Sequence, residues 1–251
     1  MIQSEVSDGV CLLTLDRPES LNAFNTQQFD LLAERMLEAQ EDAAAKVVVL
    51  TGAGRAFSAG ADLREDRLPA AELKHGFQGC VDVIIDFPKP FILAINGIGV
   101  GIGATICGLA DLAFMSENAR LRCPFSALGL TAEAASTCTF PQLMGHQAAA
   151  RFLLGAGWLD AQACKAQGLV LDVYPSEGFL EKVLDEARAM AAFPAASLLE
   201  TKALMMRGRR EAMKQANRME NEGLARLRGG PANLEAVTAF REKREADFSD
   251  L

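Results

Sequence analysis

The spacing of hydrophobic positions predicts that strands and helices alternate along the first part of the chain. Short apolar runs bounded by turn residues predict strands at 10–15, 46–51, 91–95, 112–115 and 169–174. Helical patterns occupy 26–43, 70–86 and, as a buried helix, 102–109. Because such alternation favours parallel pairing of strands, the pattern indicates an α/β core.

After residue 177 the pattern becomes helical throughout, with predicted helices at 177–192, 195–207, 209–228 and 231–246. No further strand is predicted for these helices to cover. We therefore expect them to pack on the α/β core or on another subunit.

Composition narrows the class of protein. Half of the 251 residues are hydrophobic, which is enough for a large core, and 25 basic against 33 acidic residues give a net charge of −8. A general nucleic-acid-binding protein would need a basic face, so this class is disfavoured. No apolar run reaches the length of a membrane span, and the N-terminus lacks the pattern of a signal peptide. We expect a cytoplasmic protein.

The cysteine pattern argues against a metal site. Six cysteines are scattered without a C-x-x-C pair, and the two histidines, His75 and His146, lie far apart in the sequence. A zinc site built from cysteine and histidine is therefore not expected. Buried free thiols are typical of a reducing compartment.

A glycine-rich turn allows two interpretations. Gly99, Gly101 and Ala104 fit the G-x-G-x-x-A pattern of dinucleotide-binding proteins, with Glu117 as the acid for a ribose. The helix that follows is short for that fold. The other interpretation is a tight turn whose backbone N–H groups, at the start of a helix, favour developing negative charge.

A second loop also allows two interpretations. Residues 56–60 resemble a relaxed nucleophile elbow centred on Ser58, and His146 has the chain order required of a triad histidine. The long helix expected after an elbow is absent from the pattern. The alternative is a loop of small residues that lets a ligand approach the backbone.

Glu133 is the third candidate, because it stands alone among small and apolar residues. Partial desolvation would make this carboxylate a usable proton shuttle. The alternative is an N-terminal glutamate on a helix starting near Ala134, where its negative charge would interact favourably with the helix dipole.

Five segments, taken in order, resemble the crotonase (enoyl-CoA hydratase/isomerase) superfamily. They are DRPESLNA at 16–23, AGADL at 59–63, NG at 96–97, CGLAD at 107–111 and AQGLV at 166–170. The resemblance covers almost the whole chain. It implies a crotonase-like α/β fold, a spiral of ββα units, over residues 1–194. It also implies a helical trimerisation region over 195–251, and hence a homotrimer or a dimer of trimers.

The resemblance further implies an acyl-CoA thioester as substrate and assigns roles by position. An enolate oxygen would lie between the backbone N–H groups of Ala61 and Ile102. The remaining residues implied to contact substrate are Ala59, Gly60, Asp62, Leu63, Gly101, Phe125 and Leu128. Asp62 is expected to be structural, capping the turn. The loop cations considered for the CoA phosphates are Arg17, Arg55, Arg64 and Lys89. The aromatic residues considered for an acyl tunnel, or alternatively for the core, are Phe57, Phe125, Phe140 and Trp158.

Two departures from the family pattern bear on the reaction. Hydratases of the family use two glutamates, and Thr105 and Phe125 occupy those positions. Neither side chain is a general base. Segment 124–129, Glu133 and segment 139–141 instead resemble the peroxisomal-type Δ3,Δ2-enoyl-CoA isomerases, in which one glutamate at the Glu133 position moves the proton.

The resemblance thus implies an isomerase of fatty-acid β-oxidation that needs no metal or redox cofactor. The alternatives are another crotonase-type reaction, either a hydratase variant or a thioester hydrolase, and a non-catalytic acyl-CoA-binding protein. A dehydrogenase is the most distant alternative.

Overall fold

The computed structural model describes residues 1–62 and 72–251, and within them two β-sheets and ten α-helices. The strands are β1 (Ile2–Ser7), β2 (Val10–Leu15), β3 (Val47–Gly52), β4 (Ala56–Ser58), β5 (Phe91–Ile95), β6 (Ile98–Val100), β7 (Leu112–Ser116), β8 (Arg120–Arg122), β9 (Trp158–Asp160) and β10 (Asp172–Tyr174). The helices are α1 (Thr26–Glu41), α2 (Gly76–Asp86), α3 (Ile102–Thr105), α4 (Ser136–Met144), α5 (His146–Gly155), α6 (Ala161–Ala166), α7 (Phe179–Ala191), α8 (Ala195–Met206), α9 (Arg210–Leu227) and α10 (Pro231–Glu242). Leu63 and Arg64, and the predicted start of a helix at residue 70, lie outside the described residues.

The larger sheet has the order β1-β2-β3-β5-β7-β10. β1 and β2 form an antiparallel hairpin, and the other neighbours are parallel. Both faces of the central strands are covered, which explains why their sequences are continuously apolar. On β3, Val47 and Val49 pack with α7, whereas Val48 and Leu50 join the core that includes α1 and α2.

The smaller sheet has the order β4-β6-β8-β9. β4 follows β3, β6 follows β5 and β8 follows β7, so each pass of the chain adds one strand to each sheet. This repetition confirms the predicted spiral of ββα units. β4, β6 and β8 are mutually parallel, and their carboxyl ends therefore meet at one edge.

Three predicted elements are corrected at that edge. The loop predicted at 54–61 contains β4, and the glycine-rich turn contains β6. The buried helix predicted at 102–109 is a single α-helical turn, α3, followed by a 3-10 turn at Ile106–Gly108. Strands of three residues carry too little periodicity to be recognised.

The C-terminal helices pack against the same chain. α9 lies along α2 and α4, and Asn217 of α9 donates to the Asp82 carboxylate of α2 at 2.9 Å. Lys202 of α8 is buried beside Asp111 at 2.7 Å. The trimerisation role and the boundary at residue 194 stay predictions. None of the helices in the two described ranges combines the length and hydropathy needed to cross a membrane.

Candidate functional site

Two loops meet where β4 and β6 end side by side. Gly60 follows β4 with φ of +86°, and Gly101 follows β6 with φ of +55°. A Cβ on Gly60 would lie 2.7 Å from the Val100 carbonyl oxygen. The two backbones touch because neither residue carries a side chain.

The backbone N–H of Ala61 is directed away from its neighbouring segment. Phe24 and Ala61 form a parallel bridge, in which the Phe24 N–H donates to the Gly60 carbonyl at 2.7 Å and the Asp62 N–H donates to the Phe24 carbonyl at 2.8 Å. In a parallel bridge the central residue points its own N–H to the opposite side. Ala61 is exposed, so this N–H is available to a ligand at the loop.

Ile102 is the first residue of α3, and its N–H belongs to the helix-initial group that lacks an intrahelical acceptor. The Gly101 N–H donates to the Arg122 carbonyl at 3.0 Å, and the N–H groups of Ala104 and Thr105 donate to the Gly101 carbonyl. These bonds fix the turn around Gly101. Because Gly101 touches Gly60, the N–H groups of Ala61 and Ile102 belong to adjoining loops.

Glu133 lies beside Gly101, whose loop adjoins the Gly60 loop. A Cβ on Gly101 would be 3.4 Å from Glu133 Oε1 and 3.9 Å from the Gly60 Cα. Burial raises the pKa of the Cys123 thiol, and the negative charge of Glu133 raises it further, so the thiol stays protonated. The structure thus brings one carboxylate to two loops with backbone N–H donors.

Glu133 does not belong to the helix that follows it. α4 begins at Ser136, whose N–H and Oγ donate to the Glu133 carbonyl at 3.1 and 2.6 Å. Ala134 and Ala135 both adopt left-handed φ, 58° and 57°. That conformation costs an L residue roughly 1–2 kcal/mol. The helix expected near Ala134 therefore begins two residues later, at Ser136, and Glu133 precedes it by a left-handed turn.

The resemblance implies that Thr105 and Phe125 occupy the positions of the hydratase glutamates, and neither side chain can act as a general base. Thr105 is fully buried, and its hydroxyl donates to the Gly101 carbonyl at 3.2 Å. Phe125 is buried in the core. Leu128 is half-buried, and its carbonyl accepts from Asn233 Nδ2 at 2.8 Å.

The predicted turn residues Ala59 and Asp62 are held by bonds within the protein. The Ala59 N–H donates to the Leu21 carbonyl at 2.9 Å. The Asp62 carboxylate is buried and lies 3.4 Å from an Arg17 guanidinium nitrogen. Arg17 also donates to the Ala23 carbonyl and Gln28 Oε1, so it joins the loop to the start of α1.

Of the basic residues considered for phosphates, Lys89 is unsuited. It is buried, and its ammonium donates to the carbonyls of Ala39 and Asp42 at 2.7 and 2.8 Å. The Lys89 ammonium therefore binds the carbonyl groups at the C-terminal end of α1. Arg55 is exposed beside β4, and Arg64 lies outside the described residues.

Two alternative sites receive no support from the geometry. Ser58 is fully buried, and its hydroxyl donates to the Asn22 carbonyl at 2.9 Å and accepts from the Gly60 N–H, so it is not an exposed nucleophile. Glu117 follows the larger sheet and accepts from the Ser176 N–H at 2.9 Å, whereas Gly101 follows the smaller sheet. With only four residues in α3, a dinucleotide-binding crossover is not formed.

Three of the aromatic residues considered for an acyl tunnel lie in the core or against arginine side chains. Phe57 and Phe140 are fully buried core residues, and Phe140 stacks on Phe152 with ring centroids 6.0 Å apart. Trp158 lies on β9 with the Arg120 guanidinium 4.2 Å above its ring. These contacts favour the core interpretation for the two phenylalanines.

Glu220 is a buried carboxylate near the site that sequence reasoning missed. It accepts from the backbone N–H groups of Ala135 and Thr137 at 2.6 and 2.9 Å. The sequence pattern of α9 could have revealed it, because the buried positions 213, 217, 220 and 224 recur at helical spacing. A carboxylate on that stripe has to face the core rather than solvent. Within the described ranges, no three His, Cys, Asp or Glu side chains are grouped so as to hold a metal ion.

Comparisons with known proteins identify the family of this chain. The sequence model of the enoyl-CoA hydratase/isomerase family matches residues 5–251. The chain is 34% identical over 224 residues to enoyl-CoA delta isomerase 2 of Homo sapiens, an alignment covering 85% of this chain and 56% of that protein. It therefore spans little more than half of that relative's length. It is also 31% identical over 257 residues to 1,2-epoxyphenylacetyl-CoA isomerase of Escherichia coli strain K12, with 99% and 98% covered.

A solved structure extends the similarity to the whole fold. The crystal structure of an enoyl-CoA hydratase/isomerase from Pseudoalteromonas atlantica T6c superimposes with a TM-score of 0.94 at 29% identity, covering 99% of both chains. The resemblance and the fold predicted from it are confirmed. The chain belongs to the enoyl-CoA hydratase/isomerase family, the crotonase family of acyl-CoA enzymes.

Proposed function

We propose that this protein is a Δ3,Δ2-enoyl-CoA isomerase, which moves a double bond of an acyl-CoA thioester into conjugation with the carbonyl. The observation that carries the proposal is the Glu133 carboxylate beside Gly101, whose loop adjoins the Gly60 loop. The similarity to a protein named enoyl-CoA delta isomerase 2 supports the same assignment.

The two loops supply what an enolate needs. In the proposal, the thioester oxygen accepts from the N–H groups of Ala61 and Ile102, while Ala59, Gly60 and Gly101 allow its close approach. Negative charge develops on this oxygen when the C2 proton leaves, and donors fixed in advance stabilise it most effectively. Asp62 keeps the loop in place through Arg17. Leu63, Phe125 and Leu128 complete the proposed substrate contacts.

The proton transfers balance with one base. Glu133 removes a proton from C2 of the 3-enoyl thioester, and the electrons pass into a dienolate held by the two N–H groups. Protonated Glu133 then gives the proton to C4, forming the 2-enoyl thioester and restoring the carboxylate. These steps involve only proton transfer, so the proposal includes no metal or redox cofactor.

Hydration is disfavoured by two side chains. Adding water to a 2-enoyl thioester needs a group that activates and orients the water as well as a proton donor. The Thr105 hydroxyl is already bonded to the Gly101 carbonyl, and Phe125 has no polar atom. A single carboxylate is sufficient for isomerisation, because the same proton leaves one carbon and joins another.

The assembly is also part of the proposal. Residues 195–251 are proposed to form a homotrimer or a dimer of trimers. Large apolar side chains on this region, such as Leu204, Met205 and Phe240, are about 60% exposed in the single chain, at 59%, 61% and 60%. Sedimentation of the purified protein tests this point, and a monomer at micromolar concentration would reject it.

The reaction is tested with 3-hexenoyl-CoA, following the conjugated 2-enoyl product by ultraviolet absorbance. Wild type should turn over, and Glu133→Gln should lose about a hundredfold to ten-thousandfold in rate, the usual contribution of a general base. Glu117→Gln is the matched control, because it removes a carboxylate that bonds Ser176 away from the loops.

Equal rates for wild type and Glu133→Gln would reject the assigned base. Wild type that binds the thioester without isomerising it would reject the proposed reaction. Loss of conjugated absorbance from a 2-enoyl thioester would then indicate hydration, release of free thiol would indicate hydrolysis, and neither would indicate a binding protein.

A further inference from the structure

The C-terminal helices hold the segment that carries Glu133 at three successive points. Asn233 of α10 donates to the Leu128 carbonyl at 2.8 Å. At Gly223, α9 approaches Thr131 so closely that a Cβ would lie 2.9 Å from Thr131 Cγ2. The third point is Glu220, one helical turn before Gly223. Glu133 lies between the second and third of these points.

The Glu220 carboxylate uses both oxygens at this third point. Oε2 accepts from the Ala135 N–H at 2.6 Å, and Oε1 accepts from the N–H and Oγ of Thr137 at 2.9 and 2.6 Å. The side chain is almost fully buried, with 4% of the residue exposed. Burial raises its pKa, while the Thr137 and Ala135 donors act in the opposite direction.

These bonds replace a missing helix cap. Ala135 occupies the N-cap position of α4, where serine, threonine, asparagine or aspartate normally supplies a capping oxygen, and its methyl group supplies none. Glu220 provides the oxygens from another helix, 85 residues further along the chain. A negative charge at the start of α4 is also favoured by the helix dipole.

The same bonds secure a strained turn beside the site. Ala134 and Ala135 are both left-handed, a conformation that persists for L residues only where the surroundings fix it. Glu133 directly precedes these two residues. The direction of its side chain therefore depends on the turn, and the turn depends on the Ala135 and Thr137 N–H groups being held.

We propose that Glu220 is a positioning residue for the reaction. From its place on α9 it accepts these three hydrogen bonds, and it thereby holds the Ala134–Ala135 turn and keeps the Glu133 carboxylate against Gly101. This inference rests on the proposed function, in which Glu133 is the base. Glu220 itself does not contact substrate or move a proton.

The first test compares Glu220→Gln with Glu222→Gln. A glutamine at 220 offers one carbonyl oxygen, and its amide nitrogen would oppose an N–H donor. We expect kcat for 3-hexenoyl-CoA to fall about tenfold to a hundredfold, with KM little changed, because misplacing a reacting group by about 1 Å has effects of this size. Glu222 is exposed on the same helix, so Glu222→Gln should behave as wild type.

A double variant separates positioning from a structural defect. If Glu220 acts through Glu133, adding Glu220→Gln to Glu133→Gln should cause no further loss of the residual rate. Additive losses would mean that Glu220 acts elsewhere. Should Glu220→Gln fail to fold, Thr137→Val removes only the hydroxyl donor and should give a smaller kcat loss in the same direction.

Amide hydrogen exchange gives a readout that does not depend on the reaction. Glu220→Gln should speed exchange at Ala135 and Thr137, whereas Glu222→Gln should not. If wild type proves inactive toward 3-hexenoyl-CoA, the proposed function fails alone, and exchange still decides whether Glu220 holds the turn. Unchanged exchange, or wild-type kcat in Glu220→Gln, would overturn the inference.

Discussion

Replacing Gly101 by alanine tests whether the contact between the Gly60 and Gly101 loops is required for stability and activity. Gly101 has φ of 55° and ψ of −121°, a combination open to glycine and strongly unfavourable for other residues. The added methyl would lie 3.4 Å from Glu133 Oε1 and 3.9 Å from the Gly60 Cα. The substitution therefore introduces backbone strain and fills the space between the carboxylate and the Gly60 loop.

The expected loss of stability follows from the backbone conformation. A residue held in a disfavoured φ/ψ region costs on the order of 1–3 kcal/mol. For a domain of this size, each kcal/mol changes the melting temperature by about 2–4 °C. Gly101→Ala should therefore lower the melting temperature by about 2–12 °C.

The expected loss of activity follows from the position of the methyl group. In the proposed function, the thioester carbonyl approaches the Ile102 N–H across this space. Moving that carbonyl by about 1 Å should lower kcat/KM about a hundredfold. The loss should exceed what the stability change explains, since the variant stays folded at the assay temperature.

The matched control is Gly155→Ala at the end of α5. A Cβ on Gly155 has no heavy atom within 4 Å, and its φ is not positive. This variant should keep wild-type activity and melt at the same or a slightly higher temperature, because alanine has less freedom to lose on folding. Melting is followed by circular dichroism and activity with 3-hexenoyl-CoA. A Gly101→Ala protein with wild-type melting temperature and kcat/KM would refute the reasoning.

Three further outcomes follow from other contacts. Lys202→Met leaves the Asp111 carboxylate without the ammonium now 2.7 Å away, so the free energy of unfolding in urea should fall by about 3–5 kcal/mol; an unchanged midpoint would contradict this. Of the six cysteines, only half-buried Cys138 should react rapidly with an aromatic disulfide, since the others are buried, and Cys138→Ser should abolish the fast phase. The pKa of Glu235 is about 2, chiefly because Arg244 donates to its carboxylate. A depressed carboxyl pKa means that this contact stabilises the fold above the usual glutamate pKa and is lost as the pH falls toward 2. NMR titration of Glu235 should show the low midpoint in wild type and a return toward the usual value in Arg244→Gln.

The larger sheet could be predicted from the sequence because its strands are covered on both faces. The run at 91–95 was predicted with the bounds that β5 has in the structure. The strand predicted at 169–174 shortens to Asp172–Tyr174, because the preceding residues continue the turn after α6. β4 and β6 were not predicted, because their strand conformation depends on pairing with each other rather than on the hydrophobic pattern of their own residues.

Some residues of the candidate site could also be predicted from the sequence, and others could not. Glu133 is conspicuous as a lone carboxylate among small residues, so the sequence alone singles it out as a candidate. Ala61 and Ile102 contribute only backbone N–H groups. Because any residue other than proline has such a group, the side chains do not identify these positions, and the family resemblance was needed to name them. The left-handed alanines were not foreseeable, because local propensity opposes them and the groups that hold them come from α9.

The parts of the site are held by two independent kinds of structure. The Ala61 N–H is oriented by the parallel bridge to Phe24, the turn before Ile102 is fixed by the bonds around Gly101, and the glycine contact joins the two loops. Glu133 is instead carried by a segment tied to α9 and α10. Stabilisation of an enolate requires donors that do not move, which a sheet edge provides, whereas the carbon that loses or gains a proton is selected by where the carboxylate stands. In the proposed function, these two requirements fall to separate elements: the loops at the sheet edge hold the enolate, while the helical region determines the position of the base.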